Sequence, residues 1–528
     1  MNTQISYAKA GVLNFLGNAP AWYKTVIVAF LILNPIVAYF SMFVAGWLLV
    51  LEFIFTLAMA LDCYPLEAGG LLVIEACFIG MCDMHHVTHE IEANLEVIML
   101  LMFMVAGIHF VRDFLLFFFT KLLVKVKSNV MLAFMFCFMS AVLSAFADAL
   151  TVLAIIISTC VGLYQLYMNI ITDNNPKALV GTEDKFVPEE HKPTLEEFRS
   201  FLRSLLMHSA VGTTLGGVCT LVGEPQNLII GSVCKWSFMD YFFRMCAISI
   251  PVLVCGLLTC VLCEKFKFFG YGHKMPSQIY DIMVKKEAEQ SSMLSKRDKL
   301  NLIIQGLCVV WLIVALGFHL ASVGLIGLSV IVIATALCGI TSEGPVGKAF
   351  TESMPFCALL CVFFTVVTVI AQQGLFTPII EWVFAAPREL HIPIFYMANG
   401  IISSVSDNVF VATIYIEQVR DALANDVINA AHFDELAVAI NSGTNLPSVA
   451  TPNGQAAFLF LLTSPIAALI KLPYFRMMYM ALPYTIVLTV VGLLCTWEWM
   501  PVATEWFIEN GFLQETTKEF HTTDLITN

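Results

Sequence analysis

Residues 130–164 contain one charged side chain, Asp148, within Ser144-Ala145-Phe146-Ala147-Asp148-Ala149-Leu150-Thr151. A run this apolar is built to enter a membrane. Hydrocarbon neither hydrates nor pairs a carboxylate, so an ionisable group at that depth marks a functional position turned toward protein or water. The arrangement occurs again. In Ser403-Ser404-Val405-Ser406-Asp407-Asn408-Val409-Phe410, Asp407 also follows a serine by four residues inside an apolar segment. The fold has to keep both aspartates away from lipid.

The chain has 528 residues, 59% hydrophobic and 13% charged. Soluble domains average roughly 45–50% apolar and about 25% charged. The composition therefore predicts an all-α polytopic membrane protein, with membrane lipid as its surroundings and length for ten or more helices of about 20 residues. The formal net charge of −13 is spread over loops and tail, which argues against a nucleic-acid partner. Sixteen cysteines lie scattered in apolar segments, where they act as small hydrophobes. Cys260 and Cys263 have redox or metal spacing but no adjacent histidine. His85, His86 and His89 lack a second cluster and fall in a predicted loop. Neither group is read as a metal site.

The apolar run 23–40 is too long for a signal-peptide core and has no convincing cleavage site after it. It predicts the first transmembrane helix, preceded by a cytoplasmic segment 1–22 on the strength of Lys9 and Lys24. Further apolar blocks lie at 43–61, 69–82 and 97–119. The acidic stretch 83–96 reads as external, and 121–128, with Lys121, Lys125 and Lys127, as cytoplasmic. Residues 172–200 predict an extramembrane loop, with an amphipathic helix near 195–206. The segment 264–300 carries Lys265, Lys267, Lys274, Lys285, Lys286, Lys296, Arg297 and Lys299, and predicts a cytoplasmic connection between a first membrane half, 23–263, and a second, 301–495. Apolar blocks at 301–319, 323–341, 350–371 and 478–495 build the second half, before an acidic tail, 496–528. Glu52, Glu75, His208 and His319 are embedded in apolar blocks and read as interfacial or bundle-facing.

Each half also contains an apolar segment that cannot form one regular helix. In 207–235 the breakers are Gly212, Gly216, Gly217, Gly223 and Pro225; in 441–460 they are Gly443, Pro447, Pro452 and Gly454. Gly212-Thr213-x-Leu215 parallels Gly443-Thr444-x-Leu446. Glu224-Pro225-Gln226-Asn227 parallels Thr451-Pro452-Asn453-Gly454 if a gap of four residues separates the two matches. Freed backbone survives at membrane depth only where protein or a water-filled cavity satisfies it. Paired interruptions in corresponding places point to a midplane ion or substrate site in a secondary transporter.

A hard monovalent cation calls for oxygen ligands and one compensating charge. Asp148, with the hydroxyls of Ser144 and Thr151 and carbonyls near Thr213 and Gly223, offers one such set. Asp407, with Ser403, Ser406, Asn408, Thr444 and Asn445, offers another. Glu224 is a further candidate, or else a loop carboxylate at the hairpin mouth. Each aspartate has a plainer alternative, as the N-cap of a half-helix. A carboxylate shared by proton and cation couples the two, because loading either expels the other.

Long runs of the chain resemble the NhaB-type sodium/proton antiporters of Gram-negative bacterial inner membranes. They include Phe43-Val-Ala-Gly-Trp-Leu-Leu-Val, Leu100-Leu-Met-Phe-Met-Val-Ala-Gly, Val222-Gly-Glu-Pro-Gln-Asn-Leu-Ile, Ser406-Asp-Asn-Val-Phe-Val and Gly443-Thr-Asn-Leu-Pro-Ser-Val-Ala-Thr-Pro-Asn-Gly-Gln-Ala-Ala-Phe-Leu-Phe. The resemblance covers nearly the whole chain and is weakest after about Trp506. It implies electrogenic exchange of cytoplasmic Na⁺, and Li⁺, for external H⁺ by a transporter, not an enzyme, with the ions as cargo and no cofactor. It also implies two inverted structural repeats, each with a re-entrant hairpin and an unwound transmembrane helix, and leaves room for a homo-oligomer. Asp148 matches the intramembrane aspartate regarded as functional in that family. The alternative within the wider superfamily is a sodium-coupled di- or tricarboxylate symporter. Such relatives carry a neutral Ser-Asn-Thr tip in each hairpin, where this chain has an aspartate that would repel the substrate. Nothing resembles a thiol-based arsenite site, and the GxGD motif of intramembrane aspartyl proteases is missing.

Overall fold

A computed structural model describes residues 6–147, 149–172, 187–318 and 320–514, and every regular element among them is helical. Six helices among the described residues are long and apolar enough to cross a membrane: Ala21–Phe40, Ala149–Ile171, Phe238–Phe266, Lys296–Gly317, Ser353–Gln372 and Tyr474–Glu509. The protein is a polytopic, all-helical membrane protein. It divides into two units, Met1–Ile98 with Met354–Pro387, and Met99–Ser353 with Arg388–Asn528.

In the first unit, α1 (Ala21–Phe40), α2 (Met42–Ala58) and α3 (Pro65–Phe78) pack together. Ser41 reverses the chain between α1 and α2. Its extended backbone ends the first helix, and its Oγ accepts from the Val44 N–H to cap the second. Ala38, Ala45, Leu49, Leu72 and Ala76 form an apolar core with Val369 from the returning segment. His85, His86 and His89 lie on a helix, Met84–Ala93, and not in a loop. The reason is local: Asp83 caps its start by accepting from the His85 N–H at 3.2 Å.

The second unit runs twice through one order of elements: helix, short turn, helix, then a third helix, an interruption and a short helix. The first pass is α4 (Asn129–Ser144), α5 (Ala149–Ile171), α6 (Lys192–Gly217) and α7 (Pro225–Val233), followed by the long α8 (Phe238–Phe266). The second is α9 (His391–Ser403), α10 (Asn408–Ala424), α11 (Ala430–Asn445) and α12 (Ala456–Thr463), followed by α13 (Tyr474–Leu494). Helix α4 packs on α6, and α9 on α11. The short helices are exchanged: α7 packs on α10 and α12 on α5. Glycines permit the close pairs. A Cβ on Gly216 would lie 1.8 Å from the Ala141 carbonyl oxygen, and one on Gly443 would lie 2.5 Å from that of Tyr396.

Three further expectations are corrected. The apolar block 97–119 is divided, with one helix ending at His109 and the next starting at Arg112. The predicted amphipathic helix at 195–206 is the first part of α6, which is buried from Phe198 onward. Its arginines are satisfied inside the protein: Arg199 donates to the Leu469 carbonyl at 2.9 Å and to the Tyr164 hydroxyl at 3.0 Å, and Arg203 to the Ile470 carbonyl and to Glu196. These carbonyls end a short helix, where such groups lack helical partners. Beyond 495, where a tail was expected, α13 continues through a wide turn, Cys495–Trp499, into Met500–Glu509. The two basic segments read as cytoplasmic, 121–128 and 264–300, meet through a Lys121–Glu287 ion pair and a Tyr280 hydroxyl donating to the Val124 carbonyl at 2.8 Å. His319 lies outside the described residues.

Candidate functional site

The turn between α9 and α10 ends at Asp407. Its extended backbone places it just before α10, and its Oδ1 accepts from the Val409 N–H at 2.8 Å and the Phe410 N–H at 3.3 Å. Asp407 is therefore an N-cap, and it is half buried. Capping uses one carboxylate oxygen; Oδ2 accepts no hydrogen bond among the described residues and stays available to a cation. Ser403 and Ser406, flanking the same turn, are fully buried, and their Oγ atoms have no hydrogen-bond partner among the described residues.

Beside each hairpin turn lies a helix interruption. Residues 218–224 separate α6 from α7. Between α11 and α12 come one 3₁₀ turn, Pro447–Ala450, and residues 451–455. Each interruption is tied to the neighbouring hairpin turn in the same way: Thr220 donates to the Ala145 carbonyl, and Thr451 to the Ser404 carbonyl. Gly223 and Gly454 complete the match. A Cβ on Gly223 would be 2.3 Å from the Gly217 carbonyl oxygen, and one on Gly454 would be 2.3 Å from that of Ser448, so each turn is too tight for any side chain. The two segments thus correspond without a gap. Glu224 corresponds to Gln455, and the four-residue gap introduced to align it with Thr451 is not what the backbone adopts.

The interruptions are also joined to each other. Asn445, the last residue of α11, accepts at Oδ1 from Gln226 Nε2 at 2.7 Å and donates from Nδ2 to Asn227 Oδ1 at 3.2 Å. Asn227 in turn donates to the Gly217 and Thr220 carbonyls, both at 2.7 Å, which closes the end of α6 and the turn after it. On the other side Gln455 donates to the Asn445 carbonyl at 3.0 Å and to Ser448 Oγ at 2.9 Å, and Asn408 reaches the same Oγ at 3.4 Å. Buried oxygens are left over. Ser144 and Ser403 Oγ, Ser140 Oγ and Asn399 Oδ1, Asn408 Oδ1 and Gln455 Oε1 have no hydrogen-bond partner among the described residues. The first two pairs again occupy matching places before the two turns. Hydroxyl and amide oxygens with one carboxylate suit a hard cation rather than a transition metal.

The predicted residues are distributed as follows. Asp407, Ser403, Ser406 and Asn408 share one turn, and Asn445 lies at the junction of the interruptions. Ser144 closes α4, Thr151 is buried near the start of α5, and Glu224 packs against Gly217 as the residue before α7. Thr213 and Thr444 are buried, but their hydroxyls donate back to the Ala210 and Ile440 carbonyls of their own helices. Asp148 lies outside the described residues. Gln226, Asn227, Thr220, Thr451, Ser448 and Gln455 were missed as site residues. A gapless comparison of the two segments would have singled out Thr220 with Thr451.

A family model described as Bacterial Na⁺/H⁺ antiporter B (NhaB) matches residues 3–515. A protein named Na⁺/H⁺ antiporter NhaB from Tolumonas auensis is 58% identical over 509 residues, covering 96% of this chain and 97% of the relative. Proteins of the same name from Escherichia coli O6:H1 and Shigella boydii serotype 18 are each 54% identical over 510 residues, covering 97% of this chain and 99% of the relative.

Proposed function

This chain belongs to the NhaB family of bacterial Na⁺/H⁺ antiporters, and from that membership and the site's geometry we propose that it exchanges cytoplasmic Na⁺, and Li⁺, for external H⁺. The observation that carries the reading is the junction of the two interruptions through Asn445, Gln226 and Asn227, next to a hairpin turn that presents Asp407. Two hairpins and two interrupted helices with matching contacts constitute a pair of inverted repeats in this reading, with the hairpins re-entrant. The first membrane half spans 23–263, 264–300 is a cytoplasmic connection, and the second half begins at 301. The N-terminus is cytoplasmic, the protein sits in the bacterial inner membrane among lipid, and a homo-oligomer is compatible with it.

In mechanism, Asp407 and Asp148 each carry either a proton or a share of a Na⁺ shell. Ser144, Ser403, Ser406, Asn408 and Gln455 supply neutral oxygens that have no competing partner among the described residues. Asp407 keeps its place through one oxygen, bonded to the start of α10, while the other exchanges ligands. Proton loading removes the charge that holds Na⁺, and Na⁺ loading displaces the proton. Presenting this site alternately to the two sides gives antiport. With two carboxylates protonated per Na⁺ returned, net positive charge moves inward and the membrane potential drives the cycle. The ions are the cargo, and no cofactor is required.

The test uses the purified chain in proteoliposomes under an imposed pH gradient, with Na⁺, Li⁺, K⁺ and succinate compared. Na⁺ and Li⁺ should each dissipate the gradient, K⁺ should not, and clamping the membrane potential should change the Na⁺ flux. Equal responses to K⁺ would remove the small oxygen cage. Sodium-dependent succinate uptake would favour the symporter alternative.

A further inference from the structure

The first unit buries a second set of ionisable groups, unrelated to the hairpins. Asn34 of α1 is 1% exposed, and its Nδ2 donates to Glu52 Oε2 of α2 at 2.8 Å and to Glu75 Oε2 of α3 at 3.1 Å. Glu52 is 2% exposed and Glu75 half buried. No positive charge accompanies them among the described residues. Glu52 is the only charged residue of α2, and the helical stretch 354–372 of the same unit has none. On α1 the single charge is Lys24, whose ammonium donates to the carbonyls of Leu13 and Gly17. On α3 the other charge, Glu67, lies in the first turn. The helix Met84–Ala93 packs on the same core through Val87, but its His85, His86 and His89 are exposed, as is Glu381 of the returning segment. Each carboxylate therefore faces only the amide and the other carboxylate.

Counting donors and acceptors identifies what the cluster lacks. An Asn amide has two N–H donors, and both are engaged. The atoms left over, Glu52 Oε1 and Asn34 Oδ1, are buried, have no partner among the described residues, and are both acceptors. Pro35, next in α1, has no N–H to give the Leu31 carbonyl, which adds another acceptor on the same turn. The missing partner is electropositive. Two carboxylates converging on one amide nitrogen in an apolar bundle do not both remain charged. A sodium ion needs a shell of several oxygens, and the two Oε2 atoms are already engaged as acceptors by the amide N–H groups. A proton needs one oxygen, removes one charge and supplies one O–H donor.

We propose that Asn34, Glu52 and Glu75 form a proton-binding site in the first unit, in which the two carboxylates share one proton. Gain or loss of that proton changes the charge buried among α1, α2 and α3 by one. The site is independent of the exchange reading, because its occupancy is measured without transport.

The experiment is infrared pH-difference spectroscopy on the full chain in lipid nanodiscs, comparing wild type, Glu52→Gln and Glu75→Gln. The wild type should show at neutral pH the carbonyl stretch of a protonated carboxyl that Glu52→Gln lacks. Glu75→Gln, which removes the neighbouring charge, should move the disappearance of that band to a lower pH by about one unit. Identical spectra for wild type and Glu52→Gln across the pH range would overturn the proposal. So would loss of the wild-type band on adding Na⁺ at fixed pH, which would make this a sodium site. Should Glu52→Gln not fold, Glu75→Gln decides alone: a band unmoved by it refutes the shared proton.

Discussion

Gln226 donates from Nε2 to Asn445 Oδ1 at 2.7 Å, so the first turn of the helix after the first interruption is bonded to the residue that closes the helix before the second. Both side chains are fully buried. Removing one partner strands the other, at a cost of about 1–3 kcal/mol for an unsatisfied buried polar group. Asn445→Leu and Gln226→Leu should each lower the unfolding temperature of the purified protein. The double variant should lose less than the two single losses added together. Additive losses would mean that the two side chains are not coupled.

Asp407 separates its two roles by substitution. Asn caps about as well as Asp, while Ala loses about 1 kcal/mol of helix stability. Asp407→Asn should therefore unfold near the wild-type temperature and Asp407→Ala below it. Exchange, followed by Na⁺-dependent dequenching in inverted vesicles, should be lost in both. Near-normal exchange by Asp407→Asn would reduce the residue to a cap.

Asp148 is expected to behave as the shared site of the first hairpin. Asp148→Asn should insert and fold yet lose exchange, whereas Asp148→Glu keeps the charge and should retain weakened exchange with an altered apparent Na⁺ affinity. A well-expressed Asp148→Asn that still exchanges Na⁺ would leave Asp407 to carry the mechanism.

The contact of α4 with α6 depends on Gly216. A methyl group there would meet the Ala141 carbonyl at 1.8 Å, whereas one on Gly162 of α5 would meet nothing within 4 Å. Gly216→Ala should lose about 1–3 kcal/mol or more through forced backbone shifts. Gly162→Ala should be neutral or slightly stabilising. Equal unfolding temperatures for the two variants would show that the helices can separate without loss.

Lys121 gives a pH dependence outside the membrane-spanning segments. With Ser291, it holds the Glu287 carboxyl below its ordinary value. Its folded-state proton affinity is reduced, so the ion pair's contribution is present above the unfolded carboxyl range, near pH 4.3, and fades as the pH falls. Partial exposure limits it to about 1 kcal/mol or less. Lys121→Met should reduce stability slightly at neutral pH and not at pH 3, read from unfolding temperatures at the two pH values.

Composition and hydropathy alone determined that the chain is a helical membrane protein, because continuous apolar runs of about 20 residues satisfy their backbone in lipid as helices, whereas barrel strands are short and alternate apolar with polar residues. The positions of both interruptions were equally legible, since Gly223, Pro225, Pro447 and Gly454 act on their own backbone whatever surrounds them. Asp407 was legible only as a choice between cap and ligand, and the structure gives it the cap without taking the second oxygen. Tertiary structure decided the rest. The segment 195–206 read as an amphipathic helix in an extramembrane loop, but its Arg199 and Arg203 are buried because the Leu469 and Ile470 carbonyls, far away in sequence, accept their hydrogen bonds. Gln226 carried no local signal and Asn445 read only as a candidate ligand, because a hydrogen bond between two interruptions is a property of their meeting and neither segment encodes it. Glu52 and Glu75 read as separate bundle-facing acids until three helices brought them to one Asn34 amide: periodicity places a side chain on a face, and only packing says what it faces.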